Sequence, residues 1–116
     1  MIDPTRLADE LAADRDVLES LAANGDISSV TRPLDLHFKG ARDAIEQLAD
    51  DVEGLSLRFV GFNVYEDGEW SVDLQTDGTT DFASIEQLTR KALEIEISHD
   101  VEYDGWGCVN QTGPKH

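Results

Sequence analysis

The chain lacks the residues and patterns that disulfides, membrane spans and nucleotide sites require. It has one cysteine among 116 residues, so no internal disulfide can form and no oxidising compartment is implied. No apolar run is as long as the about 18 residues that a membrane-spanning helix needs. The N-terminal stretch MIDPTRLADEL is acidic and has no apolar core of a signal peptide. The GxGxxG, P-loop and GxSxG patterns are also missing. We therefore expect a cytoplasmic protein with no cofactor.

Basic residues are also scarce, with 9 lysines and arginines against 25 acidic residues and a formal net charge of -16. Such a surface repels phosphate backbones and anionic lipid, which predicts no direct nucleic-acid binding and no membrane binding. The sign of the charge favours a basic partner, either an Arg/Lys-rich protein segment or a nucleic-acid-binding protein with a basic groove. The simpler alternative, that the acid only keeps the protein soluble, stays open.

Forty per cent of the residues are hydrophobic, which suits one domain over 1–116. We expect a core over about 4–108 and a short polar tail over 109–116. The apolar spacing predicts three helices and four strands. The predicted helices cover 4–23, 41–53 and about 81–97, and the predicted strands cover 33–40, a hairpin over 55–76, and about 101–108.

Local signals refine these boundaries. The apolar alternation slips at Gly61-Phe62, which predicts a β-bulge. Asp67-Gly68 predicts a two-residue hairpin turn, and Asp77-Gly78 predicts a further turn. Thr80 or Asp81 is expected to cap the third helix.

The order is a helix followed by β-α-β-β-α-β, which predicts an α+β fold. We expect a ferredoxin-like two-layer sandwich with an extra N-terminal helix over a sheet edge or the open sheet face. The first and third strands should lie centrally and the last strand at an edge. A bare edge or face could pair two copies, so a homodimer is possible.

Few residues suggest catalysis. His37 falls on the wet face of a strand with no nucleophile placed near it, and Cys108 has no CxxC companion. Asp73, Asp77 and Asp81 recur every four residues but do not follow the EF-hand pattern. We predict no catalytic residue and no metal site. A small enzyme using His37 or Cys108 is kept as an alternative.

The stretch Tyr103-Asp104-Gly105-Trp106-Gly107 has two interpretations. Its aromatic residues could pack on the sheet while the glycines permit a bulge or a close backbone approach. They could instead form an exposed anchor that grips a partner.

The stretch DVEYDGWG, from Asp100 to Gly107, resembles the C-terminal signature of the regulator of ribonuclease activity B family. The preceding helix, IEQLTRKALEIEISHD, is similar to the helix that leads into that signature, and the resemblance extends over roughly residues 5–108. It implies a ferredoxin-like domain without catalysis that binds ribonuclease E, at the scaffold region that organises the RNA degradosome. Family members carry a long acidic tail after this signature, whereas this sequence stops at Lys115-His116. Weaker binding or another partner is expected if that tail holds the enzyme.

These observations give two functional hypotheses. The first is a non-enzymatic protein that binds and inhibits or modulates ribonuclease E. The second is an acidic interaction module, immunity-like or a nucleic-acid mimic, with a different basic partner. The predicted partner-binding residues lie on the first helix and the last strand: Asp9, Glu10, Asp16, Tyr103, Asp104, Gly105, Trp106 and Gly107.

Overall fold

Three helices and four strands are present in the computed structural model, which describes residues 2–109 and 111. In chain order they are α1 (Pro4–Ala23), β1 (Arg32–Gly40), α2 (Arg42–Asp50), β2 (Arg58–Val64), β3 (Trp70–Gly78), α3 (Phe82–His99) and β4 (Glu102–Cys108). The strands form one antiparallel sheet in the order β2-β3-β1-β4. The predicted α+β class is confirmed, as are the central positions of β1 and β3 and the edge position of β4.

The core lies between one face of the sheet and the helices. Alternation along β1 turns Leu34, Leu36 and Phe38 to this face, where they are almost fully buried. Ile45 of α2 and Ile85 of α3 are fully buried in the same cluster. The other face of the sheet, which we call the open face, carries polar side chains.

The N-terminal helix covers an edge of the sheet and leaves the open face bare. α1 packs beside α3, and its N-terminal turn reaches β4, where Arg6 donates to the carbonyl of Tyr103. Asp3 caps the helix by accepting a hydrogen bond from the amide of Thr5 at 2.8 Å.

Some predicted boundaries were wrong because pairing between distant residues decides them. The turn predicted at Asp77-Gly78 does not occur, because these residues pair with Pro33 and Arg32 and continue β3. The bulge predicted in β2 is confirmed, but it lies between Phe59 and Gly61 and not at Gly61-Phe62. Helix α2 ends at Asp50, where the prediction had 53.

The remaining local predictions need smaller corrections. The β2–β3 connection is longer than two residues, with Tyr65 to Gly68 closing a turn through a 3.0 Å hydrogen bond and Gly68 at φ 86°. Asp81 is confirmed as the cap of α3 because it accepts from the amide of Ser84. Within the predicted tail, Val109 and Gln111 are described, and the rest lies outside the described residues.

Strand β4 contains a bulge opposite His37. Trp106 pairs with Leu36 and Tyr103 pairs with Phe38, so Asp104 and Gly105 together face one residue of β1. Gly105 adopts φ +106°, a conformation that side chains disfavour. Because of the bulge, Tyr103 and Trp106 turn to the same face although they are three residues apart.

A buried ion pair joins the loops at one end of the sheet. Arg32 Nη1 lies 2.5 Å from Asp26 Oδ1, and the two side chains are 1% and 3% exposed. Arg32 also donates to the carbonyl of Ile27, while Thr80 Oγ1 and the amide of Gln111 each donate to Asp26 at 2.8 Å. Burial acts to raise the pKa of Asp26, but the hydrogen bonds from Arg32, Gln111 and Thr80 outweigh it and lower the pKa.

The bulge can be tested with two glycine variants. We expect Gly105→Ala to lower the free energy of unfolding by about 1–2 kcal/mol, because alanine is strained at positive φ. Gly107→Ala is the matched control, since it has no positive φ and, as at Gly105, nothing lies within 4 Å of an added Cβ. Urea unfolding followed by circular dichroism measures both, and equal stabilities of the two variants would contradict the bulge.

The ion pair makes stability depend on pH. Asp26→Asn should cost about 3 kcal/mol at neutral pH, because buried Arg32 loses its compensating charge. The lowered pKa of Asp26 means that its contribution is present above the ordinary value of 3.8 and is lost as the pH falls through the folded-state value. Urea unfolding should show the gap between wild type and variant narrowing below about pH 4. A constant gap would argue against this role of Asp26.

Candidate functional site

The three acidic residues predicted on α1 differ in their surroundings. Asp9 and Asp16 are exposed and lie seven residues apart, so they share the outer face of the helix. Glu10 is half-buried and forms an ion pair with Arg6. Arg6 also pairs with Glu96 at 2.9 Å, and its hydrogen bond to Glu96 is the largest cause of the raised pKa of Arg6.

Arg6 and Glu96 also close part of the outer edge of β4. Glu96 Oε1 accepts from the amide of Tyr103 at 2.9 Å, and Arg6 Nη2 donates to the carbonyl of Tyr103 at 3.1 Å. Both backbone groups of Tyr103 therefore have partners other than an added strand. We call these contacts the β4 clamp.

Sequence reasoning missed the role of Asp14, which lies on the apolar stripe of α1. Asp14 is only 2% exposed and accepts hydrogen bonds from Thr89 Oγ1 at 2.6 Å and Trp106 Nε1 at 2.9 Å. The carboxylate thus ties α1 to α3 and β4. Its position on an apolar stripe was the available signal, because a buried acid must find hydrogen-bond donors.

The predicted residues of β4 are divided between the two faces of the sheet. Tyr103 is 2% exposed and contacts Phe38 with ring centroids 5.4 Å apart, and Trp106 is half-buried. Burial is the largest cause of the raised pKa of Tyr103, and the charges of Asp14 and Glu10 add to it. Asp104 lies on the open face instead. The structure therefore brings Tyr103 and Trp106 against α1, and places Asp104 away from them.

The open face is a network of charged and polar side chains. Asp104 lies 3.6 Å from the amine of Lys39, and its charge is the largest cause of the raised pKa of Lys39. At the other side, Arg58 pairs with Asp77 at 2.8 Å, and this hydrogen bond is the largest cause of the lowered pKa of Asp77. Exposed carboxylates thus lie on this face as well as on α1.

His37 and Cys108 do not form a catalytic pair. His37 lies on the open face, with Nδ1 2.6 Å from Asp73 Oδ1 and Nε2 3.3 Å from the hydroxyl of Tyr65. Cys108 pairs with Leu34 and faces the core side of the sheet. Burial is the largest cause of the raised pKa of Cys108, which disfavours the thiolate. Among residues 2–109 and 111, no three His, Cys, Asp or Glu side chains are grouped to hold a metal ion.

Sequence reasoning also missed an exposed apolar cluster on β2. Phe59, Phe62 and Val64 are 46%, 41% and 60% exposed on the helix side of the sheet. The rings of Phe59 and Phe62 are 4.8 Å apart, and Phe62 contacts half-buried Trp70 at 5.7 Å. The alternation of β2 is typical of a strand with one buried face, but the helices pack mainly over the other strands.

The role of Asp14 can be separated from that of the exposed acids. We expect Asp14→Ala to lower the free energy of unfolding by about 1–3 kcal/mol, because Trp106 and Thr89 lose their acceptor in a buried place. Asp16→Ala, two residues away and exposed, should stay within about 0.5 kcal/mol of wild type. Urea denaturation measures both variants. An Asp14→Ala protein as stable as wild type would show that the buried charge costs as much as its hydrogen bonds contribute.

Comparison with known proteins identifies a family for this chain. The family model described as "Regulator of ribonuclease activity B" matches residues 11–108. A search of curated proteins gives no match. None of the helices in the described part of the chain is long and apolar enough to cross a membrane. The matched range runs from α1 to the end of β4 and covers most of the chain. The protein therefore belongs to the regulator of ribonuclease activity B family, a family of regulatory proteins.

Proposed function

We propose that this protein is a non-enzymatic regulator that binds ribonuclease E and inhibits or modulates it. The family supports regulation of a ribonuclease. A basic scaffold segment of that enzyme would be attracted by the net charge of -16. We further propose a cytoplasmic location and a single domain with the ferredoxin-like arrangement, which the sheet order β2-β3-β1-β4 supports.

One observation carries the proposal: the protein's cations are largely engaged by its own carboxylates. Nine lysines and arginines, less Lys115 outside the described residues, leave eight. Six of these form ion pairs with acidic side chains: Arg6, Arg32, Lys39, Arg42, Arg58 and Arg90. The surplus acid then faces outward and attracts a basic segment over a distance of about 10 Å at moderate salt.

The proposed contact residues are the acidic ones among those predicted from the sequence. Asp9 and Asp16 face outward on α1, with Glu10 beside them, and Asp104 faces outward on the sheet. Tyr103 and Trp106, which were also predicted, hold α1 against β4: the indole of Trp106 donates to Asp14, and the backbone carbonyl of Tyr103 accepts from Arg6.

The second candidate function is an acidic module, immunity-like or a nucleic-acid mimic, that blocks another basic protein. The same exposed carboxylates support this candidate. Retention of a different basic protein on the immobilised chain, with none of ribonuclease E, would favour this candidate.

Charge reversal on α1 tests the proposal. The double variant Asp9→Lys/Asp16→Lys changes the net charge from -16 to -12. We expect association with ribonuclease E to slow by roughly tenfold at low salt, because outlying charges act mainly on the association rate. Surface plasmon resonance at several salt concentrations measures this, together with ribonuclease E activity on an RNA substrate.

The control is Asp43→Lys/Asp50→Lys on α2, which makes the same change in net charge at exposed positions. If the association rate falls equally in both double variants, α1 is not the binding surface. Wild type that does not bind ribonuclease E even at low salt would end the proposal itself.

A further inference from the structure

We propose that β2 is a docking edge at which a partner segment adds as an extra antiparallel or parallel strand. The segment would be extended and would alternate apolar and basic residues. This inference rests on the proposed binding of a basic partner and names the surface and the conformation involved.

The first support is that one edge of β2 has no neighbour among the described residues. β2 pairs with β3 on one side and is the last strand of the sheet. The amide and carbonyl of Tyr65 both bond within the β2–β3 connection, to Glu69 and Gly68. Since backbone groups alternate along a strand, Phe62 and Val64 turn their amides and carbonyls away from β3. These groups form a template for another strand.

The second support is the apolar character of β2 on the helix side. Phe59, Phe62 and Val64 are exposed there beside Trp70. Exposed apolar patches of this kind on soluble proteins often mark interaction sites. Every second side chain of an added strand would lie next to them, so these side chains should be apolar.

The third support is the excess of acidic residues before and after β2 in the chain, together with Asp73 on the neighbouring strand. Asp73 of β3 pairs with Gly61, which has no side chain; one oxygen of Asp73 lies 2.6 Å from His37 Nδ1, and the other accepts from Asn63 Nδ2 at 3.2 Å. The side chain of Asp73 is 40% exposed. Arg58, the cation of β2, is already paired with Asp77. The segment 50–69 holds six acidic residues and this one arginine. The other side chains of an added strand should therefore be basic.

The other edge of the sheet is less suited to this role. The β4 clamp occupies both backbone groups of Tyr103, and the bulge at Gly105 interrupts the strand. A second copy of this chain is a poorer occupant for β2 than a basic segment, because each copy carries a net charge of -16.

The test uses a fluorescent peptide of about ten residues that alternates lysine and valine. A peptide of the same composition with its lysines and valines in two blocks is the first control, and an alternating glutamate–valine peptide is the second. Fluorescence anisotropy gives the affinities. Amide chemical shifts locate the peptide on the protein, and sedimentation of the protein alone gives its oligomeric state.

The matched variants are Val64→Pro and Val64→Ala. Both remove the valine side chain, but only proline removes the outward amide, and proline is tolerated at a sheet edge. We expect Val64→Ala to weaken binding of the alternating peptide by about threefold at most and Val64→Pro by at least about tenfold. Val64→Lys, at a position that is 60% exposed, is the second blocking variant if the proline variant unfolds.

The expected shifts fall on residues 58–64. Equal affinities of Val64→Pro and Val64→Ala, equal binding of the block peptide, or shifts confined to α1 would each overturn the docking edge. The docking edge would also be overturned if the free protein were a dimer and both Val64→Pro and Val64→Lys were monomers, because a second copy would then occupy β2.

The same proteins are also tested against full-length ribonuclease E. If Val64→Pro and Val64→Ala bind ribonuclease E with equal affinity, the docking edge is overturned and the proposed function is retained. Wild type that binds the alternating peptide through β2 but does not bind ribonuclease E would overturn the proposed function and retain the docking edge.

Discussion

The hydrogen bonds to the buried carboxylate of Asp14 tie α1 to α3 and to strand β4. Asp14 accepts from Thr89 on α3 and Trp106 on β4, so one side chain fixes three elements. Trp106 can reach it only because the bulge at Gly105 returns β4 to the helix side after Tyr103. The same bulge sends Asp104 to the open face. The division of this segment into a packed part and an exposed part thus depends on the bulge, which brings to the buried carboxylate one of the donors that it needs.

Much of the fold could be predicted because its signals are local. The alternation of Leu34, Leu36 and Phe38 identified β1, and the cap at Asp81 set the start of α3. The features that escaped prediction depend on distant partners. Asp77 belongs to a strand because Pro33 pairs with it, and Asp14 is structural because of a tryptophan 92 residues away. The exposure of Phe59 depends on where the helices lie, which alternation within β2 does not encode.

The candidate site was predicted less fully than the fold for the same reason. Net charge indicated a basic partner, and the exposed positions of Asp9 and Asp16 agree with helical spacing. Charge alone could not show that most cations are held in internal ion pairs, nor that the two sheet edges differ. One edge is partly closed by the β4 clamp, while the other has no neighbouring strand and carries exposed aromatic side chains.

The two tryptophans lie toward opposite sides of the sheet, Trp106 on the edge strand β4 and Trp70 on β3 next to the edge strand β2. Trp106 donates to Asp14 under α1, whereas Trp70 makes an edge contact with Phe62, with the guanidinium of Arg42 5.2 Å from its ring. Indole emission responds to neighbouring charge and to water. Each ring is therefore a built-in optical reporter of its own side of the sheet, one of the packing of α1 and the other of binding at β2. In a variant in which phenylalanine replaces one tryptophan, the emission of the other can be measured alone, without an attached dye.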